Sequence, residues 1–328
     1  MINQVLLETS KGLLNNEPIT FSKAIYFSRL EGADILDLVS LANRIRKEYA
    51  GEGIDLCSII NAKSGACSED CCFCAQSTHY KTNILTYSLE SEDEILEAAK
   101  NAETSGATRF CIVISGKKPD TKDFKKIVSA LGKIRKETNL KLDCSLGTLN
   151  EEEIYELKNA GVTRYNHNLE TSEGYFKQIC STHSYEDRLN TVKMLKKIGL
   201  EVCCGGIIGL GEDWDERIRL AFALKDLDID CIPINILTPR SGTPLENAKP
   251  LSPMEIIKTI AIFRLILKDK IIKIAGGREV NLRDLQALAL LAGANGLIVG
   301  NYLTTGGRAA DLDLQMIKDL GMAIETRK

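Results

Sequence analysis

The stretch GACSEDCCFCAQ, residues 65–76, carries four cysteines within eight positions. Three of them, Cys67, Cys71 and Cys74, form C-x3-C-x2-C. Three thiolates on one short loop can each bind one iron of a cubane and leave the fourth iron open, whereas iron–sulfur clusters usually take four cysteines. Zinc is the rival ion: a structural zinc site needs four protein ligands, and His79 is near enough in sequence to supply the fourth. Cys72, beside Cys71, reads as a small neighbour with no metal role.

The elements that must hold this loop are written along the rest of the chain. Short β-branched segments alternate with longer amphipathic ones: IDLCSII (54–60), TRFCIVIS (108–115), LKLDCSL (140–146), RYNHNLE (164–170), EVCCGGIIG (201–209), CIPINIL (231–237), IIKIAGG (271–277) and GLIVG (296–300). The helical stretches between them carry their own stop and start signals. SEDEILEAAKNAETSG opens with Ser91 and Glu94 spaced as a capping box and ends at Gly106, and two later stretches repeat the helix-then-glycine form at Gly161 and Gly199. Eight βα units in series predict an α/β fold of the TIM-type (β/α)8 kind, with its site at the C-terminal ends of the strands; an open doubly wound sheet is the alternative from pattern alone. The cysteine loop follows the first strand, so it belongs at the barrel mouth. Residues 1–50 read as an N-terminal helical extension packed on a barrel of residues 51–328. No linker or low-complexity stretch divides them, so a single domain is expected.

The bulk composition agrees. The chain has 328 residues, 44% hydrophobic and 27% charged, with a net charge of −3. That suits a globular protein with a large core and argues against a nucleic-acid surface. The N-terminus lacks a signal-peptide layout, and ALALLAGANGLIVG is too short to span a membrane and contains Asn295. A cytoplasmic protein is expected, in which eleven cysteines read as metal ligands rather than disulfides.

Two further features point to a ligand. Strand side chains alternate faces, so Asn166, Asn168 and Glu170 share one face, opposite Tyr165, His167 and Leu169. A barrel lumen is ordinarily filled with Val, Ile and Leu, so three polar groups there imply something bound. The second feature, GGIIGLGE (205–212), fits G-x-I-x-G-x-x-E. Alone it is weak, because glycines at strand ends often serve only tight turns.

Together with the cysteine loop, that motif resembles the radical S-adenosylmethionine (SAM) enzymes, in which an aromatic residue, here Phe73, precedes the last cysteine. The likeness extends, over roughly residues 40–321, to the biotin synthases: GACSEDCCFCAQ, TRFC, LGTL, YNHNLET, SYEDRL, VCCGGIIGLGE, PINIL with GTPL, GGRE and AGAN recur in order. The resemblance implies conversion of dethiobiotin to biotin. A [4Fe–4S] cluster on Cys67, Cys71 and Cys74 would cleave SAM to a 5′-deoxyadenosyl radical, and an auxiliary cluster would donate sulfur. It implies that Phe73, Asn168, Glu170, Arg188 and Ile207 meet SAM, and that Asn166 and Asn235 hydrogen-bond the substrate's ureido ring. It also implies auxiliary ligands at Cys111, Cys144 and Cys203, a flavodoxin- or ferredoxin-type electron donor, and a homodimer. Cys203 is preferred to Cys204 because the family's single cysteine follows Val202 and only one of the pair can face inward. Cys57, Cys180 and Cys231 match no family ligand and read as packing residues.

The match departs at two places. Lys273 stands where the family places a cluster-ligating arginine, and a lysine lacks the planar fork of a guanidinium. Either Lys273 ligates as a neutral amine, or three thiolates remain. The second case suggests a four-iron auxiliary cluster carrying an extra sulfide in place of the family's [2Fe–2S]. Glu170 replaces the family's aspartate and is one methylene longer. Other radical SAM enzymes of the same subgroup, hydrogenase maturases or methylornithine synthases, are the nearest rival reading, and a non-redox zinc-stabilised barrel is the more distant one. Anaerobically purified protein is expected to be brown and rich in iron; a colourless preparation with stoichiometric zinc would establish the distant rival.

Overall fold

A computed structural model describes residues 3–325; residues 1–2 and 326–328, which the expected extension and barrel ranges include, lie outside the described residues. The eight expected strand segments all form strands of one parallel sheet: β1 (Gly53–Lys63), β2 (Arg109–Ile114), β3 (Lys141–Ser145), β4 (Val162–Asn166), β5 (Glu201–Cys203), β6 (Gly206–Ile208), β7 (Cys231–Ile236), β8 (Ile271–Ile274) and β9 (Gly296–Ile298). The last, β9, pairs back onto β1 and closes the sheet into a TIM-type barrel. β5 and β6 are two halves of a single stave, and both pair with β7. A short β10 (Ala323–Ile324) adds to the start of β1.

Two segments differ from the expectation. The fourth strand stops at Asn166, four residues early, and the fifth breaks at Cys204–Gly205. Both changes have one cause. A Cβ on Gly205 would stand 2.0 Å from the Pro233 carbonyl oxygen, and one on Gly206 would stand 2.3 Å from that of Glu170. The glycine pair lets the chain after β4 cross directly over the break, where the Ile207 N–H donates to Glu170 O at 2.8 Å.

The helices obey their caps. Ser91 and Glu94 form the reciprocal capping box of helix Glu92–Thr104. Asn150 with Glu153 and Ser184 with Asp187 do the same for the helices that follow them. Gly199 closes helix Tyr185–Ile198 in the left-handed region, at φ 77°. Before β1, helices Gln4–Leu14, Phe21–Ser28 and Ala33–Ile45 pack on the outer helix layer, chiefly on helix Pro253–Ile266. That helix is apolar nearly all round because it is covered on both sides.

The floor of the lumen is ionic, not aliphatic. Asp55, Arg109, Asp143, Arg164 and Lys273 are all buried there. Arg109 holds Asp143 at 2.8 Å, Arg164 holds Asp55 at 3.1 Å, and Lys273 holds Asp55 at 2.8 Å. Glu201 joins both arginines, at 3.5 and 3.0 Å. Burial would raise the Asp55 pKa, but Lys273, Arg164 and Arg109 outweigh it and hold the carboxyl well below the usual carboxylate range. Removing one partner of a buried ion pair leaves an uncompensated charge. Asp55→Ala is therefore expected to lose about 3–5 kcal/mol of stability in anaerobic urea denaturation; a loss under about 1 kcal/mol, typical of surface pairs, would show that the floor is solvated.

Candidate active site

The cysteine loop leaves the top of β1 through a tight turn, with Gly65 at φ 73° and Ala66 at φ 51°. Its ends are pinned by backbone bonds. The Cys67 N–H donates to Gln76 O at 3.1 Å, and the Thr78 N–H donates to Cys67 O at 2.8 Å. A turn from Cys71 O to the Cys74 N–H, 2.9 Å, folds the middle, and the Cys72 N–H donates to Ile179 O at 2.8 Å. With the backbone satisfied internally, the thiols are left to point at something else. Cys67, Cys71 and Cys74 line one cavity of about 480 Å³ at the barrel mouth, and Cys72 does not. His79 binds the Ser68 carbonyl through Nε2 at 3.0 Å and is outside the cavity lining.

Phe73, Asn168, Glu170, Arg188 and Ile207 line the same cavity. Asn168 accepts from the Gly205 N–H at 3.1 Å, and Arg188 Nη1 donates to Asn168 O at 2.8 Å. Glu170 sits at φ 68°, in the left-handed region, and its carboxylate lies 3.6 Å from Arg188. Burial pushes the Glu170 carboxyl up against the opposing pull of Arg188. Arg188 Nε donates to His183 Nε2 at 2.9 Å, which leaves His183 Nδ1 to meet Glu69 of the cysteine loop. A single polar chain thus joins the cysteine loop to the two residues after β4. In the GGIIGLGE stretch, Glu212 accepts from the Gly209 N–H at 2.9 Å and from Arg217 at 2.8 Å. The glutamate of that motif is a clasp on the turn.

Deeper in the cavity, Asn166 donates to Cys111 Sγ at 3.3 Å, while its Oδ1 is buried without a partner among the described residues. Asn235 accepts from the Gly276 N–H at 3.0 Å. Such an unpaired amide oxygen is costly unless a ligand donates to it. His167, expected on the opposite face, also lines the cavity, because regular alternation ends with the strand at Asn166. Burial, then Arg188 and His183, pushes its pKa down to about 3, so it is neutral.

The expected auxiliary ligands divide. Cys111 and Cys203 are buried on the lumen face. Cys144 is not on that face. It lies in register between Ile112 and Tyr165, whereas its neighbour Asp143 pairs with the lumen residues Cys111 and Arg164. Its side chain is packed in the core between sheet and helices. The expectation for Cys144 was one residue out of phase, and one residue on a strand reverses the face. Lys273 is in the lumen, but its ammonium is engaged by Asp55. Three cysteines read as packing residues have other surroundings. Cys57 lines the cavity, Cys231 stands in register with Cys203, and Cys180 Sγ lies 3.8 Å from Cys71 Sγ, next to His183. The alternation of IDLCSII already put Cys57 on the face of Asp55 and Ile59. Nothing local announced Cys180 or Arg240, whose Nη2 is buried without a partner at the cavity edge.

The donor sets fit the groups that the motifs imply: three thiols share one cavity with an unpartnered amide oxygen and a cation. The family models agree in extent. Residues 61–224 match the radical SAM superfamily, and residues 233–323 match the biotin and thiamin synthesis associated domain. Biotin synthase of Carboxydothermus hydrogenoformans is 52% identical over 99% of this chain and 100% of its own length. That of Clostridium acetobutylicum is 52% identical over 96% of this chain and 97% of its own. Among solved structures, a methylornithine synthase superposes with a TM-score of 0.86 at 21% identity, covering 97% of this chain and 98% of its own. The FeFe-hydrogenase maturase HydG from C. hydrogenoformans gives 0.81 at 18%, over 97% of this chain and 78% of its own. At those identities the two structures speak for the barrel alone. Identity of 52% over nearly the full length of both chains is a stronger tie, and by it the chain belongs to the biotin synthase family of radical SAM enzymes.

Proposed function

We propose that this chain converts dethiobiotin to biotin by inserting one sulfur between two unactivated carbons. The observation that carries this reading is the shared cavity, where the thiols of Cys67, Cys71 and Cys74 face the unpartnered Oδ1 of Asn166. When bound, the [4Fe–4S] cluster and SAM supply a 5′-deoxyadenosyl radical, and an auxiliary cluster supplies the sulfur. The chain's own work is placement. Cys67, Cys71 and Cys74 would hold the first cluster. Arg188, steadied by His183 and Asn168, offers its charge to the SAM carboxylate, while Asn168 and Glu170 address the ribose. Ile207 and Phe73 give the adenine and cluster apolar neighbours.

Asn166 and Asn235 recognise the ureido ring, which carries both donors and acceptors. The closed floor beneath them keeps water from reaching a reactive carbon centre from below. Because Asp55 holds the Lys273 ammonium, we read Lys273 as a neighbouring charge and not as a ligand. The auxiliary cluster is then a four-iron cluster with an extra sulfide, not the arginine-ligated [2Fe–2S] form. Kinship further suggests a flavodoxin- or ferredoxin-type electron donor and a homodimer; among the described residues, no helix is long and apolar enough to cross a membrane.

With dethiobiotin, SAM and a reductant, the anaerobic enzyme is expected to form biotin together with 5′-deoxyadenosine; deoxyadenosine without biotin would point to another radical SAM reaction. Cys71→Ala should abolish SAM cleavage, and retained cleavage would refute its place as a ligand. Iron analysis should return about eight irons per chain, whereas about six would restore the [2Fe–2S] form.

A further inference from the structure

The lumen is layered, and the layers say which thiols can share a cluster. On each strand, the residue two positions beyond a floor charge returns to the lumen face one layer higher. Above Asp55 stands Cys57, above Arg109 stands Cys111, and above Glu201 stands Cys203. The same step from Asp143 reaches Ser145, and from Arg164 it reaches Asn166. Cys144 lies between two of these positions and faces the helices.

Register and contacts place the three thiols together. Cys57 pairs across the sheet with Arg109 on one side and with the cavity-lining Ile298 on the other. Cys57 and Cys111 pack in one small buried cluster with Val113. Cys57, Cys203 and Lys273, all buried, line the same cavity. Cys231, in register with Cys203, is on the lumen face of β7 but does not line the cavity. In the layer above the floor, β3 offers a serine and the residue after β8 is an alanine, so the thiol that lines the cavity beside Cys203 is Cys57 on β1.

We infer that Cys57, not Cys144, completes the auxiliary cluster's thiolate set with Cys111 and Cys203. The inference rests on the proposed auxiliary cluster but not on how many irons it holds. Three strands, β1, β2 and β5, contribute one thiol each, and Asn166 adds its side-chain N–H to the Cys111 sulfur at 3.3 Å. That contact sets the substrate-binding amide directly beside a sulfur ligand. Lys273, held by Asp55 below, provides a nearby positive charge for a thiolate-rich, net anionic site.

The test compares full-length Cys57→Ala, Cys57→Ser and Cys144→Ala, each reconstituted anaerobically beside the unaltered chain. Iron, sulfide and Mössbauer spectra are read for every protein, and SAM cleavage reports that the barrel and its first cluster are intact. Both Cys57 variants are expected to drop to about four irons per chain while still binding SAM, with the auxiliary spectrum lost. Cys144→Ala is expected to keep the iron and spectrum of the unaltered chain. Full iron in Cys57→Ser, or loss of the auxiliary spectrum in Cys144→Ala, would overturn the assignment; should Cys57→Ala not fold, Cys57→Ser and Cys144→Ala decide it. An unaltered chain with only about four irons would instead remove the auxiliary cluster itself, a failure of the proposed function distinguishable from the ligand question.

Discussion

Everything above the floor of this barrel depends on one requirement, that buried charges be paired. Asp55, Arg109, Asp143, Arg164 and Lys273 come from five different strands and lie where a barrel ordinarily packs aliphatic side chains. No one of them is tolerable alone in that setting. Arg164 reaches Asp55 on a strand distant in sequence, and Lys273 reaches the same carboxylate from β8, with only β9 between them. The pairs therefore tie the closing strands to the opening ones. They also seal the lower end and specify the phase of each strand. Once Asp55 faces in, Cys57 must; once Asp143 faces in, Cys144 cannot.

The upper end is arranged by a different device. Gly205 removes the side chain that would push the break off β7, and Gly206 the one that would keep the segment after β4 away from β6. The segment can then turn through Glu170 in a left-handed conformation and present Asn168 and Glu170 to the cavity. Arg188 bonds the backbone of that segment and, through His183, reaches Glu69 in the cysteine loop. The segment after β4 and the cysteine loop are parts of one hydrogen-bonded unit, so a disturbance in either should be felt in the other.

Much of this was legible in order along the chain. The three-cysteine spacing, the eight alternating units, the capping boxes and the glycine-rich fifth stave are local signals, because each depends on residues a few positions apart. That Asn166, Asn168 and Glu170 meet one cavity was legible too, although the alternation that grouped them ends at Asn166 and the following turn carries the other two. The auxiliary site was not read so well. Cys144 was assigned by likeness of neighbouring residues, and a likeness does not carry phase. His183, Cys180 and Arg240 were missed because their surroundings are assembled from segments far apart in sequence.

The division follows from the range of the forces involved. Composition, periodicity and motif spacing determined that this chain is built of eight βα units with a three-cysteine loop after the first strand. Backbone hydrogen bonding and face alternation act over a few residues and are written there. Which thiols face the lumen, and that the Lys273 ammonium is paired with Asp55, was decided only by tertiary structure. Those answers turn on register between strands and on the pairing of charges more than one hundred positions apart, such as Asp55 with Arg164.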